Sequence, residues 1–186
     1  MKHRLHGNHR RTRPTGCVSA SRRQRGASLL EAIAYLGIAA IVVVGAIALL
    51  RGAFDSANTN ELSEQVSALQ TGVRKLYMGQ PGGYASLSNQ VVENAGIFPT
   101  TLVASGADAT SVLDSWSGNV TLTGTATNFT IEFDAVPNDV CINAVTQSGS
   151  WTSISINGTA NTPPVSPATA SGACNTGSNA IIWTST

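Results

Sequence analysis

The longest apolar stretch of the chain covers residues 27–50 and reads ASLLEAIAYLGIAAIVVVGAIALL. It has 24 positions and a single charged residue, Glu31. At a rise of about 1.5 Å per residue, a helix of this length spans roughly 36 Å, enough to cross a hydrocarbon core of about 30 Å. The pattern therefore predicts a transmembrane helix over residues 27–50 rather than the core helix of a small soluble domain.

The helical pattern continues through residues 51–78, which contain no proline. Apolar residues recur in steps of 4, 3, 4 and 3, at Leu62, Val66, Leu69, Val73 and Leu76. This spacing puts them on one helix face, while the other positions are mainly polar. We therefore expect one long helix whose second half packs against a domain. A coiled coil is the alternative, but the heptads are few and carry few flanking charge pairs.

The remaining residues, 79–186, predict a small α+β domain. Gly79 to Gly83 holds three glycines and a proline and should end the long helix. We expect a short helix near residues 87–95, a turn at Pro99 and a helical segment within 137–146. Runs rich in Thr, Ile, Val and aromatic residues predict strands at 120–123, 128–133, 151–156 and 180–184. Residues 157–179 are rich in Gly, Pro, Ser and Asn and predict a long loop.

The expected fold class is therefore α+β, with a long N-terminal helix packed on a small antiparallel sheet. Four segments follow from the patterns: a basic head over residues 1–26, an apolar half-helix over 27–50, an amphipathic half-helix over 51–78, and a globular part over 79–186.

Charge divides the chain at Gly26. Residues 1–26 hold eight of the eleven Lys and Arg residues and no acid, so residues 27–186 carry a formal charge of 3 − 10 = −7. Positive charge directly before an apolar run holds that end on the cytoplasmic side of a membrane. We therefore favour a topological role for the basic head over nucleic-acid binding, which is the other common role of such a head.

Cysteine and histidine positions limit the chemistry of the body. Cys17 lies in the basic head, so removing the head leaves Cys141 and Cys174, an even pair suited to one disulfide in an oxidising compartment. Two free buried thiols are the alternative. All three histidines precede residue 10, so the body lacks the histidine of a Ser-His-Asp or Cys-His site, and two cysteines are too few for a zinc site. We expect no enzyme, cofactor or metal, and we interpret Glu132 and Asp134 as a solvated strand face.

The junction Arg25-Gly26-Ala27-Ser28-Leu29-Leu30-Glu31 resembles the processing site of type IV prepilins. The resemblance rests on Gly26, Glu31, the basic leader before them and the uncharged run after them. It implies that a prepilin peptidase cuts between Gly26 and Ala27 and N-methylates Ala27. It also implies that Glu31 of one subunit receives the Ala27 amine of a neighbour and sets the axial register of the filament.

The residues alone leave other interpretations of this junction open. A glutamate in the first turns of a helix is stabilised by the helix macrodipole without any partner, which would explain Glu31. Gly26 also fits an ordinary linker. A secretory signal peptide has a shorter apolar segment, of about 7–15 residues, followed by a small-residue cleavage site. An uncleaved membrane anchor would account for the apolar run but not for the flanking glycine and glutamate.

The long leader and the absence of phenylalanine at position 27 point to the type IVb branch. The pattern SLLEAIAYLGIAAIVVVGAIALL…LSEQVSALQTGVRKLYMGQ…FPTTL is most similar to the major pilins of conjugative-plasmid thin pili. The resemblance is clearest over the helix and weakest after Thr101. It implies a disulfide between Cys141 and Cys174 that bounds a D-region.

The resemblance implies a structural subunit that begins in the inner membrane. With the inner-membrane assembly machinery, it would polymerise into a homo-oligomeric helical pilus on the bacterial surface, for conjugative mating or adhesion. A type II secretion pseudopilin is one alternative, against which the cysteine pair argues. A membrane-anchored periplasmic binding protein or enzyme is the other, and it would work as a monomer with its leader intact.

Overall fold

The computed structural model describes residues 28–105 and 111–186. The chain divides into two compact units, Met1–Val44 and Gly45–Thr186. One helix, α1, runs over Leu29–Tyr77 and confirms the long helix that the pattern predicts. The predicted cleavage residues, Gly26 and Ala27, lie outside the described residues.

The first unit is described over residues 28–44, where it forms the beginning of α1. Every one of these side chains is exposed. The most apolar 18-residue window of α1 has a mean hydropathy of 2.7, and none of it is buried. By length and composition, α1 is the one helix among the described residues that could cross a membrane.

The second unit contains one antiparallel sheet of seven strands, in the order β1-β2-β3-β4-β7-β5-β6. The C-terminal strand β7 thus lies inside the sheet, between β4 and β5. The strands are β1 Val103–Ser105, β2 Ser111–Leu113, β3 Asn119–Gly124, β4 Phe129–Val136, β5 Ser153–Ile156, β6 Thr159–Asn161 and β7 Asn179–Ser185. The short helices are α2 Asn89–Asn94, α3 Asn138–Thr146 and α4 Pro167–Ala173.

The second half of α1 packs on this sheet through the predicted apolar stripe. Leu62, Val66, Leu69 and Val73 are at most 4% exposed and join the inward-facing strand residues in one core. Buried positions alternate with half-buried ones along β4 and β7, because successive strand residues point to opposite faces. One face of the sheet therefore carries the core.

The prediction that Leu76 belongs to the buried stripe is wrong. Leu76 is 36% exposed, whereas the next residue, Tyr77, is only 9% exposed. The ring of Tyr77 packs on Tyr84 with 5.6 Å between centroids, and its hydroxyl shares a hydrogen bond of 3.3 Å with Ser86 Oγ. The chain that follows Gly79 (φ 80°) thus covers Tyr77 and leaves Leu76 open.

The predicted loop over residues 157–179 is also wrong, since it contains β6 and α4. Asn157 (φ 49°) and Gly158 (φ 83°) are both left-handed, as a two-residue hairpin turn requires, and they join β5 to β6. Ser166 caps α4 and Pro167 occupies its first turn, the usual arrangement at a helix start.

The other predicted elements are confirmed within a few residues. These include α2, α3, the turn at Pro99 and the strands β3, β4, β5 and β7. The pattern missed β1 and β2, because strands of three residues are too short to show alternation.

Candidate functional site

The start of α1 is organised by Ser28. Its Oγ accepts the N–H of Glu31 at 3.2 Å, and its carbonyl oxygen accepts the N–H of Ala32 at 3.0 Å. Ser-x-x-Glu is the sequence of a capping box, which satisfies amide groups that the first helical turn leaves free. Glu31 therefore lies in the first turn of the helix, as expected.

The carboxylate of Glu31 is exposed on the helix surface. Tyr35, one turn further on, donates its hydroxyl proton to Glu31 Oε1 at the long distance of 3.4 Å. The position of Glu31 near the helix N-terminus also favours the negative charge of its carboxylate. Among the described residues the carboxylate thus has one hydrogen bond and is exposed to solvent, and the proposed pairing with the Ala27 amine stays a prediction.

A continuous apolar surface surrounds this single acid. Ten large apolar or aromatic residues of the first unit are exposed: Leu29, Leu30, Ile33, Tyr35, Leu36, Ile38, Ile41, Val42, Val43 and Val44. Apolar surface of this extent on a soluble monomer is unusual and marks a contact with lipid or protein. Gly37 adds a place where a neighbour can approach the backbone, since a Cβ there would meet nothing within 4 Å.

The predicted disulfide is confirmed in the second unit. Cys141 on α3 and Cys174 at the end of α4 are bonded, with 5.9 Å between their Cα atoms, and both are buried. We call residues 141–174 the D-region. It contains most of α3 together with β5, β6 and α4, so the bond ties the two helices together.

A network of asparagine side chains holds the same region from the side of β7. Asn179 is fully buried, and its Nδ2 donates to the carbonyl oxygen of Val136 at 3.0 Å and to Asn138 Oδ1 at 2.8 Å. Its Oδ1 accepts from Asn157 Nδ2 at 2.9 Å. The network joins β7 to the end of β4, the start of α3 and the β5–β6 turn.

Asn157 extends this network beyond Asn179. Its Nδ2 also donates to the carbonyl oxygen of Ala173 at 2.9 Å, and its Oδ1 accepts the N–H of Ala180 at 3.0 Å. One turn residue thus links the hairpin, the end of α4 and the start of β7. A residue here must supply both an amide and a left-handed backbone, which asparagine does at low cost.

The second half of α1 is fastened to the end of β7 by polar contacts. Gln70 Nε2 donates to the carbonyl oxygen of Ser150 at 3.1 Å and to Ser185 Oγ at 3.0 Å. Arg74 Nη2 donates to the same Ser185 hydroxyl at 2.8 Å. Because Ser185 is fully buried, these bonds fix the helix against the C-terminal strand.

The turn between β2 and β3 contains a buried carboxylate, Asp114, which is 6% exposed. Its Oδ1 accepts the N–H of Trp116 at 2.9 Å and of Gly118 at 2.7 Å, while its buried Oδ2 has no hydrogen-bond partner. Burial, with a smaller contribution from the charge of Asp134, raises the pKa of Asp114, although the two backbone hydrogen bonds oppose this.

Glu132 and Asp134 lie half-buried on β4. Glu132 is in register with Thr121 on β3 and Ile182 on β7. Partial burial and then the neighbouring charge of Asp134 raise the pKa of Glu132. In the part of the chain that the structure describes, no group of three or more His, Cys, Asp or Glu residues could hold a metal ion.

The sequence patterns did not indicate the roles of Asn157, Asp114 and Asn179. Asn157-Gly158 is a recognised hairpin signal, and Asp114 is followed by a turn-forming Ser-Trp-Ser-Gly segment, so both had local signals. Asn179 had none, because its partners Val136 and Asn138 lie more than 40 residues away along the chain.

Comparison with known proteins agrees with this geometry. A family model described as PilS N terminal matches residues 56–186. The structure is similar to the crystal structure of a type IV b pilin from Salmonella typhi, with 25% sequence identity and a TM-score of 0.53. The match covers 66% of this chain and 94% of that chain. No curated protein matches the chain.

Proposed function

The chain belongs to the PilS N-terminal family and has the fold of a type IVb pilin, so it is a pilus subunit, and we propose how it is processed and assembled. A prepilin peptidase cuts between Gly26 and Ala27 and methylates the Ala27 amine. The mature chain then polymerises into a homo-oligomeric surface filament.

The proposed cut is supported by what it does to charge. It removes eight Lys and Arg residues, together with Cys17 and all three histidines, and leaves a mature chain of formal charge 3 − 10 = −7. It also creates an amine two residues before α1 begins at Leu29. The cut thus supplies a cation near the helix end that carries Glu31.

The observation that carries the proposal is the exposed apolar helix with its single acid. A carboxylate within a membrane helix costs about 2.5–3.5 kcal/mol on insertion scales, less near the interface. An unpaired charge is also unfavourable in the packed filament core, where pairing with the amine of a neighbouring subunit would offset the cost. We therefore assign Glu31 to the register between subunits, with residues 27–50 first in the inner membrane and then in the filament core.

The roles of the remaining segments and the use of the pilus follow from the same resemblance. We propose that inner-membrane assembly machinery polymerises the subunit, that residues 51–78 join the filament core to the globular part, and that residues 79–186 form the outer surface. The resulting pilus would serve conjugative mating or adhesion. A family and fold of this kind are those of structural proteins rather than of enzymes.

The test compares filaments from cells producing the wild-type chain, Glu31→Gln or the matched control Glu64→Gln, which changes an exposed glutamate of the same helix. We expect wild-type filaments whose N-terminal residue is methylated Ala27. We expect Glu31→Gln to reduce filament yield about tenfold or more, the loss expected for a buried interface charge, without stopping the cut, and Glu64→Gln to have little effect.

Four outcomes would contradict the proposal. Filaments that begin at Met1 would exclude the cut. Normal filament yield from Glu31→Gln would exclude the register role. A chain that stays in the membrane as a working monomer would favour an anchored binding protein, whereas short assemblies that never reach the surface would favour a pseudopilin.

A further inference from the structure

Strand β7 follows the other described strands along the chain but lies within the sheet. It pairs with β4 from Phe129 to Phe133 and again at Val136, and with β5 along Ser153–Ile156. Strands that follow one another in sequence are usually neighbours in a sheet, whereas β4 and β5 are joined here only through β7. Without β7 the sheet would therefore consist of two separate parts, β1–β4 and the hairpin β5–β6.

Neither part has what it needs to complete the core. β5 has four residues and β6 has three, and an isolated two-stranded hairpin is marginally stable at best in water. In the other part, β4 would become an edge strand whose backbone N–H and C=O groups on that side have no strand partner. The elements before β7 thus lack a continuous sheet on which α1 can pack.

Strand β7 fills the middle of the core. Its four inward-facing residues are at most 3% exposed: Asn179, Ile181, Trp183 and Ser185. The ring of Trp183 packs edge-on against that of Phe133, with 6.0 Å between centroids. Ile182 lies on the opposite face of the sheet and is half-buried. The core therefore depends on one side of this strand and much less on the other.

The two ends of β7 also connect the sheet to two helices. At its start, Asn179 Nδ2 donates to Asn138 Oδ1 at the beginning of α3. Near its end, the Ser185 hydroxyl accepts hydrogen bonds from Gln70 and Arg74 of α1. The insertion of β7 thus joins α3, the sheet and α1 in one step.

We propose that β7 is a closing strand: the globular unit stays open until β7 enters between β4 and β5. Pairing between distant strands costs loop-closure entropy before its contacts form, and here it waits for a strand that is made after the others described. The elements before β7 therefore leave the ribosome without a stable fold. In a pilus subunit this delays the docking of α1 on the sheet until β7 has been exported, a consequence that rests on the proposed function.

Translation arrest tests the order of these events in the full chain. The chain is followed by spacers of increasing length and an arrest peptide, made in a cell-free system with detergent, and treated with protease on the ribosome. We expect a protease-resistant globular unit only with spacers that bring all of β7 out of the ribosome. Releasing the short-spacer chains with puromycin is the control and should produce the resistant unit. Resistance with spacers that expose the chain only up to Ser178 would overturn the proposal.

Rescue by a separate strand distinguishes a closing strand from an ordinary core strand. Ile131 on β4 and Ile181 on β7 are both fully buried. In the full chain, Ile131→Asn and Ile181→Asn should each lose most of the protease-resistant unit. A peptide with the sequence of residues 178–186 should restore it in Ile181→Asn, because the peptide can pair with β4 and β5 in place of the altered strand. It should not restore it in Ile131→Asn.

The peptide provides a second matched pair. A peptide carrying Ile182→Asn, changed on the outer face, should rescue the Ile181→Asn chain, whereas a peptide carrying Ile181→Asn should not. Wild-type resistance of the Ile181→Asn chain, no rescue by the wild-type peptide, or equal rescue of both chains would overturn the closing role.

These measurements use unassembled chains, so their outcome does not depend on filaments. A negative result would remove the closing role of β7 and leave the pilus assignment intact. Absence of filaments from cells producing the wild-type chain would instead contradict the proposed function.

Discussion

At the residue scale, the globular unit depends on a few polar side chains in places where they are costly to replace. Asp114 places a carboxylate in the β2–β3 turn to accept two backbone N–H groups, and its second oxygen is left without a partner. Asn157 and Asn179 join the end of β4, α3, the β5–β6 turn, α4 and β7 through side-chain amides. Each of these side chains joins a turn to the core, so replacing it should change the free energy of unfolding.

Asp114 should make the protein more stable in mild acid. Because burial raises its pKa above the ordinary value of 3.8, the folded state holds the proton more tightly than the unfolded state. The stabilisation is full below the unfolded pKa and is lost as the pH rises through the raised folded pKa. Urea unfolding from pH 4 to 7 should show this trend weakened in Asp114→Asn.

Glu93→Gln is the control for this experiment, since Glu93 is an exposed acid on α2. Its pH dependence should run parallel to that of the wild type. Partial burial raises the pKa of Glu132 as well, so some of the acid stabilisation should persist in Asp114→Asn. If the free energy of unfolding of Asp114→Asn depended on pH as steeply as that of the wild type, this would contradict a raised pKa at Asp114.

Asn157→Ala should lower the free energy of unfolding by about 4–5 kcal/mol. The change removes three hydrogen bonds, each worth about 1 kcal/mol, and places alanine in a left-handed conformation that costs about 1–2 kcal/mol. Asn157→Gly loses the same hydrogen bonds but tolerates the backbone, so it should cost less. Urea unfolding of both variants measures the difference, and equal losses would show that the backbone contributes nothing.

At the element scale, two features organise the molecule. One is helix α1, whose two halves differ in exposure, and the other is the disulfide that joins α3 to α4. Helix α1 presents apolar side chains on all sides in the first unit and a single buried stripe in the second. The D-region consists of short elements with little core of their own, which the disulfide and the asparagine network attach to the sheet.

Removing the disulfide should therefore destabilise the globular unit. Closing 33 residues constrains the unfolded chain by about 4 kcal/mol in the loop-entropy estimate, from which native strain subtracts. The double variant Cys141→Ser, Cys174→Ser should lose roughly 2–4 kcal/mol in urea unfolding. Cys17→Ser, measured in the uncleaved chain beside the double variant, is the matched control and should unfold like the wild type. A double variant as stable as the wild type would contradict the structural role.

At the scale of the whole molecule, the buried core and the apolar surface belong to different parts of the chain. Every buried hydrophobic residue among those described lies between Leu62 and Trp183. The exposed large apolar residues fall mainly between Leu29 and Phe54. The exposed apolar part of α1 therefore contributes no buried hydrophobic residue to the core.

A chain of residues 51–186 should consequently fold without the N-terminal segment. We expect a soluble species with cooperative thermal unfolding and the Cys141–Cys174 bond intact, since it keeps the entire described core. Calorimetry and sedimentation measure this directly, and the full chain in detergent is the reference. Non-cooperative unfolding or precipitation would show that the first 50 residues contribute to the fold.

Much of this architecture could be predicted because its signals are local. The apolar run, the stripe from Leu62 to Val73 and the glycines after α1 act over neighbouring residues, where helix period and turn chemistry apply directly. The alternation in β3, β4 and β7 likewise follows from two faces in different environments. The pilin fold and the disulfide between Cys141 and Cys174 were instead implied by the resemblance, which rests on Gly26, Glu31, the basic leader and the uncharged run.

The tertiary structure determined the burial, the side-chain partners and the pKa shift that depend on residues distant in sequence. It covered Tyr77 instead of Leu76, because the chain beyond Gly79 returns on that side of α1. It buried Asn179 among partners that strand order brings together, and it raised the pKa of Asp114 by removing water from the carboxylate. Sequence thus determined the long helix, the apolar run and the longer strands, whereas the burial of Tyr77 and the exposure of Leu76 were set by packing between segments.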